Sequence, residues 1–275
     1  MKFKYLGTAA AEGWPAMFCE CDHCKRAKKS GGRNIRTRSQ AVIDEKLLID
    51  FPADTYMHVL NFGLDLTKIH SCIITHNHSD HFYPADFGMR RKGFAHLSCD
   101  RPLNIYGTSP ALNQATEIIN KSLSDEKRVL FNKITAFVPF VIQEYTITPL
   151  AANHDNRCEP VFFIISNGVH TILYANDTGY FPEKTWQYLK TYKPRFDFVS
   201  LDCTSGLLDC RDGHMGFSTN IEVKQRLNML GCTNEKTIYC VNHFSHNGRA
   251  IYDELVPIAQ KHDFLVSYDG MTIDL

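Results

Sequence analysis

Between Cys72 and Phe82 the chain reads CIITHNHSDHF, which packs His76, His78, Asp80 and His81 into six positions directly behind a short apolar run. Imidazoles and a carboxylate are costly to crowd together unless something shared takes up their lone pairs and charge. A divalent metal ion suits this donor set. If the chain stays extended past the apolar run, His76 and His78 point the same way and can grip one ion. Asp80 and His81 follow in the turn and can hold a second ion beside it.

Further donors stand where other apolar runs stop. His154 follows ITPL in AANHDN, Asp177 follows HTIL in YANDTGY, and His243 and His246 follow KTIY in CVNHFSH. A second cluster, FCECDHC, sets Cys19, Cys21 and Cys24 within six residues, with His23 inside it. Three thiolates at that spacing can face one ion, and a closed structural zinc site takes four ligands. In RDGHMGFS, His214 sits on a glycine-flanked loop beyond the run that ends in Asp202. A histidine titrating near neutrality can protonate a leaving group or bind an anion. Asp202 can support His214, orient a ligand histidine or cap the turn after it.

These residues need a scaffold of strands and helices. Short apolar runs recur: FKYLG, QAVIDEKLLIDF, IHSCIIT, LNIYG, EYTITPLAA, PVFFIIS, HTILYAN, FDFVSLD, KTIYCVN and FLVSYDGMTI. Their length and β-branched content predict strands, several buried on both faces. Helices are predicted from Ser109, with Pro110 in the first turn, to about Ser124; from Phe181 to Tyr192; and from Ser218 to Leu230, closed by Gly231. A last one, near Ala250 to His262, must bend or start late at Pro257. The mix indicates an α/β fold in which sheets pack together under helices. The segment from Phe82 to Lys92 and the helix after Ser109 are placed to form a lid.

The 275 residues contain 30 basic and 30 acidic side chains, so no global field favours nucleic acid or an anionic membrane. No apolar run reaches bilayer-spanning length. The opening MKFKYLGTAA lacks the pattern of a signal peptide. The expectation is a cytoplasmic protein whose ten cysteines stay reduced, the clustered ones as metal ligands.

The elements HNHSDH, His154, Asp177 and His243, in this order and at strand ends, resemble the metallo-β-lactamase superfamily of binuclear hydrolases. The resemblance covers nearly the whole chain. It implies a single domain over 1–275 with the four-layer αββα sandwich of that superfamily and the metals at one edge of the two sheets. It implies that His76, His78 and His154 hold one ion, that Asp80, His81 and His243 hold the other, and that Asp177 bridges them. The zinc β-lactamases of the superfamily place a cysteine at the bridging position, so antibiotic hydrolysis is disfavoured. The stretch LGTAAAEGWPAMFCECDHC resembles the N-terminus of the phosphoribosyl cyclic-phosphate phosphodiesterase branch (PhnP type). There a cysteine loop, here at about 17–30, binds a structural zinc completed by a histidine three residues after the last active-site histidine, which here is His246. The same stretch is similar to cofactor-biosynthesis proteins of PqqB type, which generally lack the full histidine cluster.

The implied cofactors are two active-site divalent ions, zinc or manganese with iron also accommodated, and one structural zinc. Two cations about 3.5–4 Å apart generate hydroxide at neutral pH and neutralise a phosphate under attack. The expected partner is a small, cyclic or linear, phosphodiester, with Asp80, His214 and Asp202 as candidate catalytic residues. Neither nucleic acid nor a membrane is expected as a partner, and a homodimer is compatible with the sequence. A thioester hydrolase of the glyoxalase II kind shares the ligand set, and an iron oxygenase is the redox alternative.

Overall fold

The computed structural model describes residues 1–98, 101–119 and 128–275. Its strands are β1 (Lys2–Gly7), β2 (Gln40–Ile43), β3 (Leu47–Ile49), β4 (Ser71–Ile73), β5 (Leu103–Gly107), β6 (Val129–Lys133), β7 (Phe140–Ile142), β8 (Tyr145–Ala151), β9 (Val161–Ser166), β10 (Thr171–Ala175), β11 (Phe198–Asp202), β12 (Ile238–Asn242), β13 (Leu265–Val266) and β14 (Thr272–Asp274). The helices are α1 (Asp22–Ser30), α2 (Thr55–Phe62), α3 (Ser109–Ile119), α4 (Glu183–Tyr192), α5 (Phe217–Met229) and α6 (Tyr252–Gln260).

Two seven-stranded mixed sheets form, in the orders β14-β1-β2-β3-β4-β5-β6 and β13-β12-β11-β10-β9-β8-β7. Phe3, Tyr5, Ile49, Ile73, Tyr145, Phe163, Ile172, Tyr174 and Phe198 fill the space between them and are shut off from solvent. The outer face of the second sheet is covered by α1, α4, α5 and α6 through Ala27, Trp186, Leu189, Val223, Leu227, Leu255 and Ala259. The outer face of the first sheet is covered by α3 and the 310 segment Pro84–Arg90 through Ala111, Ala115, Ile119 and Phe87. The layers run helix, sheet, sheet, helix. This is the metallo-β-lactamase sandwich.

Strand direction decides where the connecting loops meet. β10, β11 and β12 pair in parallel, with Ala175 opposite Leu201 and Asp202 opposite Asn242. β8 and β9 are antiparallel, as are β9 and β10, so β8 runs the same way as β10. In the other sheet β3, β4, β5 and β6 are parallel, and β1 points with them through its antiparallel neighbour β2. The carboxyl ends of these strands therefore gather at one edge, the common place for a ligand cleft in sheets of this kind.

Three predictions are corrected by the structure. QAVIDEKLLIDF is the β2–β3 hairpin, turned by Asp44 and Glu45 in the left-handed region. FLVSYDGMTI divides between the sheets as β13 and β14. The last helix starts at Tyr252 and passes straight through Pro257. One missing N–H, the one that would reach the Asp253 carbonyl, is tolerable in a helix whose start is fixed by Glu254 accepting from Ile251 N–H at 3.1 Å. The helix from Ser109 is described as far as Ile119; its expected continuation to Ser124 lies outside the described residues.

Phe198 is 0% exposed and its ring lies 5.2 Å from that of Phe3 and 6.4 Å from that of Tyr5. Phe198→Ala opens a cavity between the two sheets and is expected to cost about 3–5 kcal/mol. A shift of the urea midpoint at unchanged slope measures it.

Candidate active site

Every candidate donor of the histidine run and its partners arrives at the carboxyl-end edge of the sheets. β4 leads to His76–His81, β8 to His154, β10 to Asp177, β11 to Asp202 and β12 to His243. Asp177 and His243 adopt left-handed φ values of 47° and 61°, and Asp50, just past β3, has φ 64°. Such values cost of order 1–3 kcal/mol each and cluster at functional sites. At these positions the chain turns sharply beyond its strand; Asp177 and His243 line the cleft, and Asp50 lies behind His81.

Two donor groups result. In the first, His76, His78 and His154 place their nitrogens within 4.8 Å of one another, with His154 Nε2 3.2 Å from His78 Nδ1. In the second, Asp80, His81, Asp177 and His243 do the same. There His81 Nε2 lies 3.1 Å from His243 Nε2 and 3.3 Å from an Asp80 oxygen. Asp177 stands between the groups: its Oδ1 is 4.0 Å from His154 Nε2, while its Oδ2 touches His81 Nε2 and lies 3.1 Å from His243 Nε2. Oδ2 is nevertheless buried without hydrogen-bond geometry to any partner, and so is His76 Nε2. Lone pairs that converge on a point instead of meeting a donor fit a bound cation.

The imidazoles are held from behind. His81 Nδ1 faces Asp50 at 2.7 Å, His154 Nδ1 faces the Gly213 carbonyl at 3.0 Å, His243 Nδ1 faces Thr204 Oγ1 at 2.8 Å, and His76 Nδ1 faces Thr75 Oγ1 at 3.1 Å. Thr204 in turn donates to Asp202 at 3.0 Å, and Thr75 donates to Asp50 at 2.9 Å. In each ring Nδ1 is engaged and Nε2 is left for the centre. His78 is turned round, with Nδ1 inward and Nε2 3.6 Å from Asp155.

The charges obey this arrangement. Burial pushes the protonation of His76 and His154 down, so both are neutral donors. Burial also opposes charge on His81, but the Asp177, Asp80 and Asp50 carboxylates outweigh it and raise its pKa well above the usual range. Burial opposes ionisation of Asp177, yet His243 and His81 hold it well below the carboxylate range. A cation taken up by the second group must displace the His81 proton, so its affinity falls as the pH falls.

His214 flanks both groups. Its ring centre is 4.9 Å from that of His154, and Nδ1 is 3.1 Å from Asp202 and 3.5 Å from Asp177. Burial works against its proton, but Asp202 first and then Asp177 raise the pKa to about 9. Asp202 sits where its candidate roles would place it. It faces His214, holds His243 through Thr204, and accepts from Thr204 N–H at 3.0 Å and Met215 N–H at 2.9 Å. The sequence reading missed Asp50, Thr204 and Gly213. Asp50 did leave a signal: it is an acid directly behind the fully apolar LLI of β3.

The cysteine cluster closes as expected. Cys19, Cys21, Cys24 and His246 bring their donor atoms within 4.8 Å, with His246 Nδ1 3.6 Å from Cys19 Sγ and 3.4 Å from Cys21 Sγ. The segment is not loop throughout: α1 begins at Asp22, and Cys21 is its N-cap, accepting from Cys24 N–H. Burial opposes the Cys21 thiolate, but this N–H and His246 lower its pKa to about 6. Burial pushes Cys24 up to about 12. All nine described cysteines are free thiols.

A cavity of about 430 Å³ opens over Asp80, His154, Asp177, His214 and His243. Its outer wall comes from Ala10–Glu12, the Thr204–Leu208 stretch and the Ser245–Asn247 turn. The lid expectation fails: Phe82 and Phe87 are packed into the outer core of the first sheet, and Asn77 merely bonds Gln114 of α3 at 2.9 Å. The loop between β11 and α5 lines the cavity through Thr204, Ser205, Leu208 and His214, and none of residues 82–98 does.

A model of the beta-lactamase superfamily domain matches residues 48–239. The chain belongs to the beta-lactamase superfamily. The matched span includes Asp50, the histidine run, His154 and Asp177, and stops before His243 and His246. The fold of this superfamily member is also that of a diphosphatase from the PhnP family (16% identity, TM-score 0.73, covering 100% of this chain and 97% of that one). It is shared with zinc-bound PqqB from Methylobacterium extorquens (18%, TM-score 0.71, 100% of both chains) and with the short form of human tRNase Z (16%, TM-score 0.67, 100% and 99%). At these identities the likeness is one of fold. No curated protein matches the sequence.

Cys21→Ser removes one thiolate from the outlying cluster and leaves both histidine groups intact. Metal analysis of the purified variant is expected to show one equivalent fewer than wild type, with activity weakened indirectly through the shared His243–His246 turn. Unchanged metal content would sink the assignment of these four residues as ligands.

Proposed function

We propose that this chain is a binuclear metal-dependent phosphodiesterase acting on a small phosphodiester in the cytoplasm. The observation that carries the reading is Asp177, whose two oxygens face two separate donor groups with His214 beside them. His76, His78 and His154 would hold one ion, Asp80, His81 and His243 the other, and Asp177 both. Zinc suits the imidazole-rich groups, and manganese or iron can occupy the same donors. Cys19, Cys21, Cys24 and His246 would hold a structural zinc.

When bound, two such cations lower the pKa of water and neutralise phosphoryl charge during in-line displacement. The chain supplies the rest. Asp50, Thr204 and Gly213 fix the ligand rings, so little reorganisation accompanies reaction. Held protonated by Asp202 and Asp177, His214 faces the cavity, where it can bind a phosphoryl oxygen and pass its proton to the departing alkoxide. Asp202 is a positioning residue, because it acts through His214 and Thr204.

Two donor groups favour hydrolysis over mononuclear iron oxygen chemistry. A cavity of about 430 Å³ with no lysine or arginine of the described residues in its lining favours a small molecule over an RNA chain. The free thiols of the described cysteines fit a reducing compartment. No helix among the described residues is long and apolar enough to cross a membrane.

The test is hydrolysis of bis(p-nitrophenyl) phosphate by metal-analysed protein. Asp177→Ala is expected to lower kcat by at least about 100-fold, more than loss of an outlying partner does. Retained activity in that variant overturns the binuclear reading. His214→Ala separates its two roles by leaving group. For an alkyl leaving group kcat is expected to fall by about 100-fold or more, and for nitrophenolate, which needs no proton, by much less. Equal losses on both esters would leave His214 as an anion clamp only.

A further inference from the structure

The outer wall of the cavity carries a carboxylate that the metal groups do not use. Glu12 belongs to the loop after β1, and its side chain is 31% exposed. Its Oε1 accepts the Ser245 hydroxyl and lies 3.6 Å from His246 Nε2, which pins the carboxylate against the His243–His246 turn. Its Oε2 has no partner among the described residues. Ser205 and Asn247 line the same wall, together with Ala10, Ala11, Thr204, Leu208 and Ser245.

Among the described residues, no lysine or arginine lines this cavity. Arg38 and Arg157, whose partners Ala11 and Asp155 lie in or next to the lining, are committed elsewhere. Arg38 donates to the Ala11 carbonyl at 2.8 Å and pairs with Asp54 at 3.0 Å, and Arg157 pairs with Asp155 at 2.7 Å. The single negative charge of a phosphodiester falls to the metals and His214. A second anionic group on the substrate would meet Glu12 with nothing to offset it, whereas a cationic group would be attracted.

We propose that Glu12 makes this site select phosphodiesters whose non-leaving arm carries a primary ammonium group, an inference that rests on the phosphodiesterase reading above. The wall has no aromatic ring to take a quaternary ammonium by its face. It has the Glu12 carboxylate, and Ser205 and Asn247 belong to the same lining, residue types whose oxygens can accept from an –NH3+ group. An amino-alcohol phosphodiester fits this chemistry. A diester bearing a second phosphate or a carboxylate does not.

Three p-nitrophenyl esters with the same leaving group test it, differing only in a 2-aminoethyl, propyl or 2-carboxyethyl arm. In each, water adds at phosphorus, the aryl P–O bond breaks and nitrophenolate departs. For wild type, kcat/KM is expected to be about tenfold higher for the aminoethyl than for the propyl ester, with the carboxyethyl ester slowest. Glu12→Gln keeps the acceptor for Ser245 and is expected to bring the aminoethyl-to-propyl ratio close to one. Taking the ratio within each preparation cancels any loss of active sites through the neighbouring cysteine cluster.

Equal rates on the three esters in wild type, or a ratio that Glu12→Gln leaves unchanged, would overturn the proposal. The phosphodiesterase reading would still stand if the propyl ester were hydrolysed. Failure to cleave any of the esters, bis(p-nitrophenyl) phosphate included, would remove that reading and this inference together.

Discussion

Asp80, His81, Asp177 and His243 are each 5% exposed or less, and they meet around a single carboxylate. Charges brought this far out of water are strongly unfavourable unless each finds a partner of opposite sign at close range. Asp177 is the residue on which the balance turns, facing His81 and His243 with one oxygen and His154 with the other. Remove it, and His81 keeps Asp50 and Asp80, but no carboxylate is left facing both donor groups. The dense packing of two sheets and their helices is what makes such a centre tolerable, because it keeps the donors from drifting apart.

The scaffold reaches that geometry by gathering strand ends. Parallel pairing puts Asp202 level with Asn242, so the turns after β11 and β12 lie side by side and Thr204 can join His243 to Asp202. The donor side chains do not simply project from strands. They stand on the first residues beyond them, and the left-handed backbone at Asp177 and His243 sets their direction. That strain persists only because the strands behind it are fixed by burial on both faces.

What the sequence disclosed and what it hid divide along the same physical line. The histidine run and the cysteine cluster are legible because their donors are neighbours in the chain, and the strands because buried runs such as PVFFIIS are apolar throughout. Gly213 is silent and Asp50 leaves only a faint mark: a glycine carbonyl and an acid after LLI acquire their meaning when the loop before His214 folds over His154 and β3 lies against β4. α1 escaped notice because DHCKRAKKS buries only Cys24 and Ala27, too few positions to show a period. α6 was half seen, since propensity at Pro257 was overridden by the packing of Leu255 and Ala259 against the second sheet. Glu12 looks like any loop acid until Ser245 and His246 close on it.

The two clusters are mechanically one object. His243 and His246 stand at the ends of a four-residue turn, with Phe244 between them and only 2% exposed. Phe244 N–H donates to Thr8 O at 2.9 Å and its carbonyl accepts from Ala10 N–H at 3.0 Å, so the turn is sewn to the loop that carries Glu12 and, further on, the three cysteines. Arg36 lies over the Phe244 ring at 4.1 Å and donates to Thr8 Oγ1 and Ser267 O, both at 2.7 Å. Burial lowers its pKa to about 10, so it stays a cation at neutral pH, and its charge meets the face of the ring and nearby Asp269. Two backbone hydrogen bonds of about 1 kcal/mol each would not by themselves hold a loop of this length. A closed cysteine–histidine cluster anchors its far end, and the stacked guanidinium clamps the middle. The outer wall of the cavity is therefore tied to the same turn that carries His243.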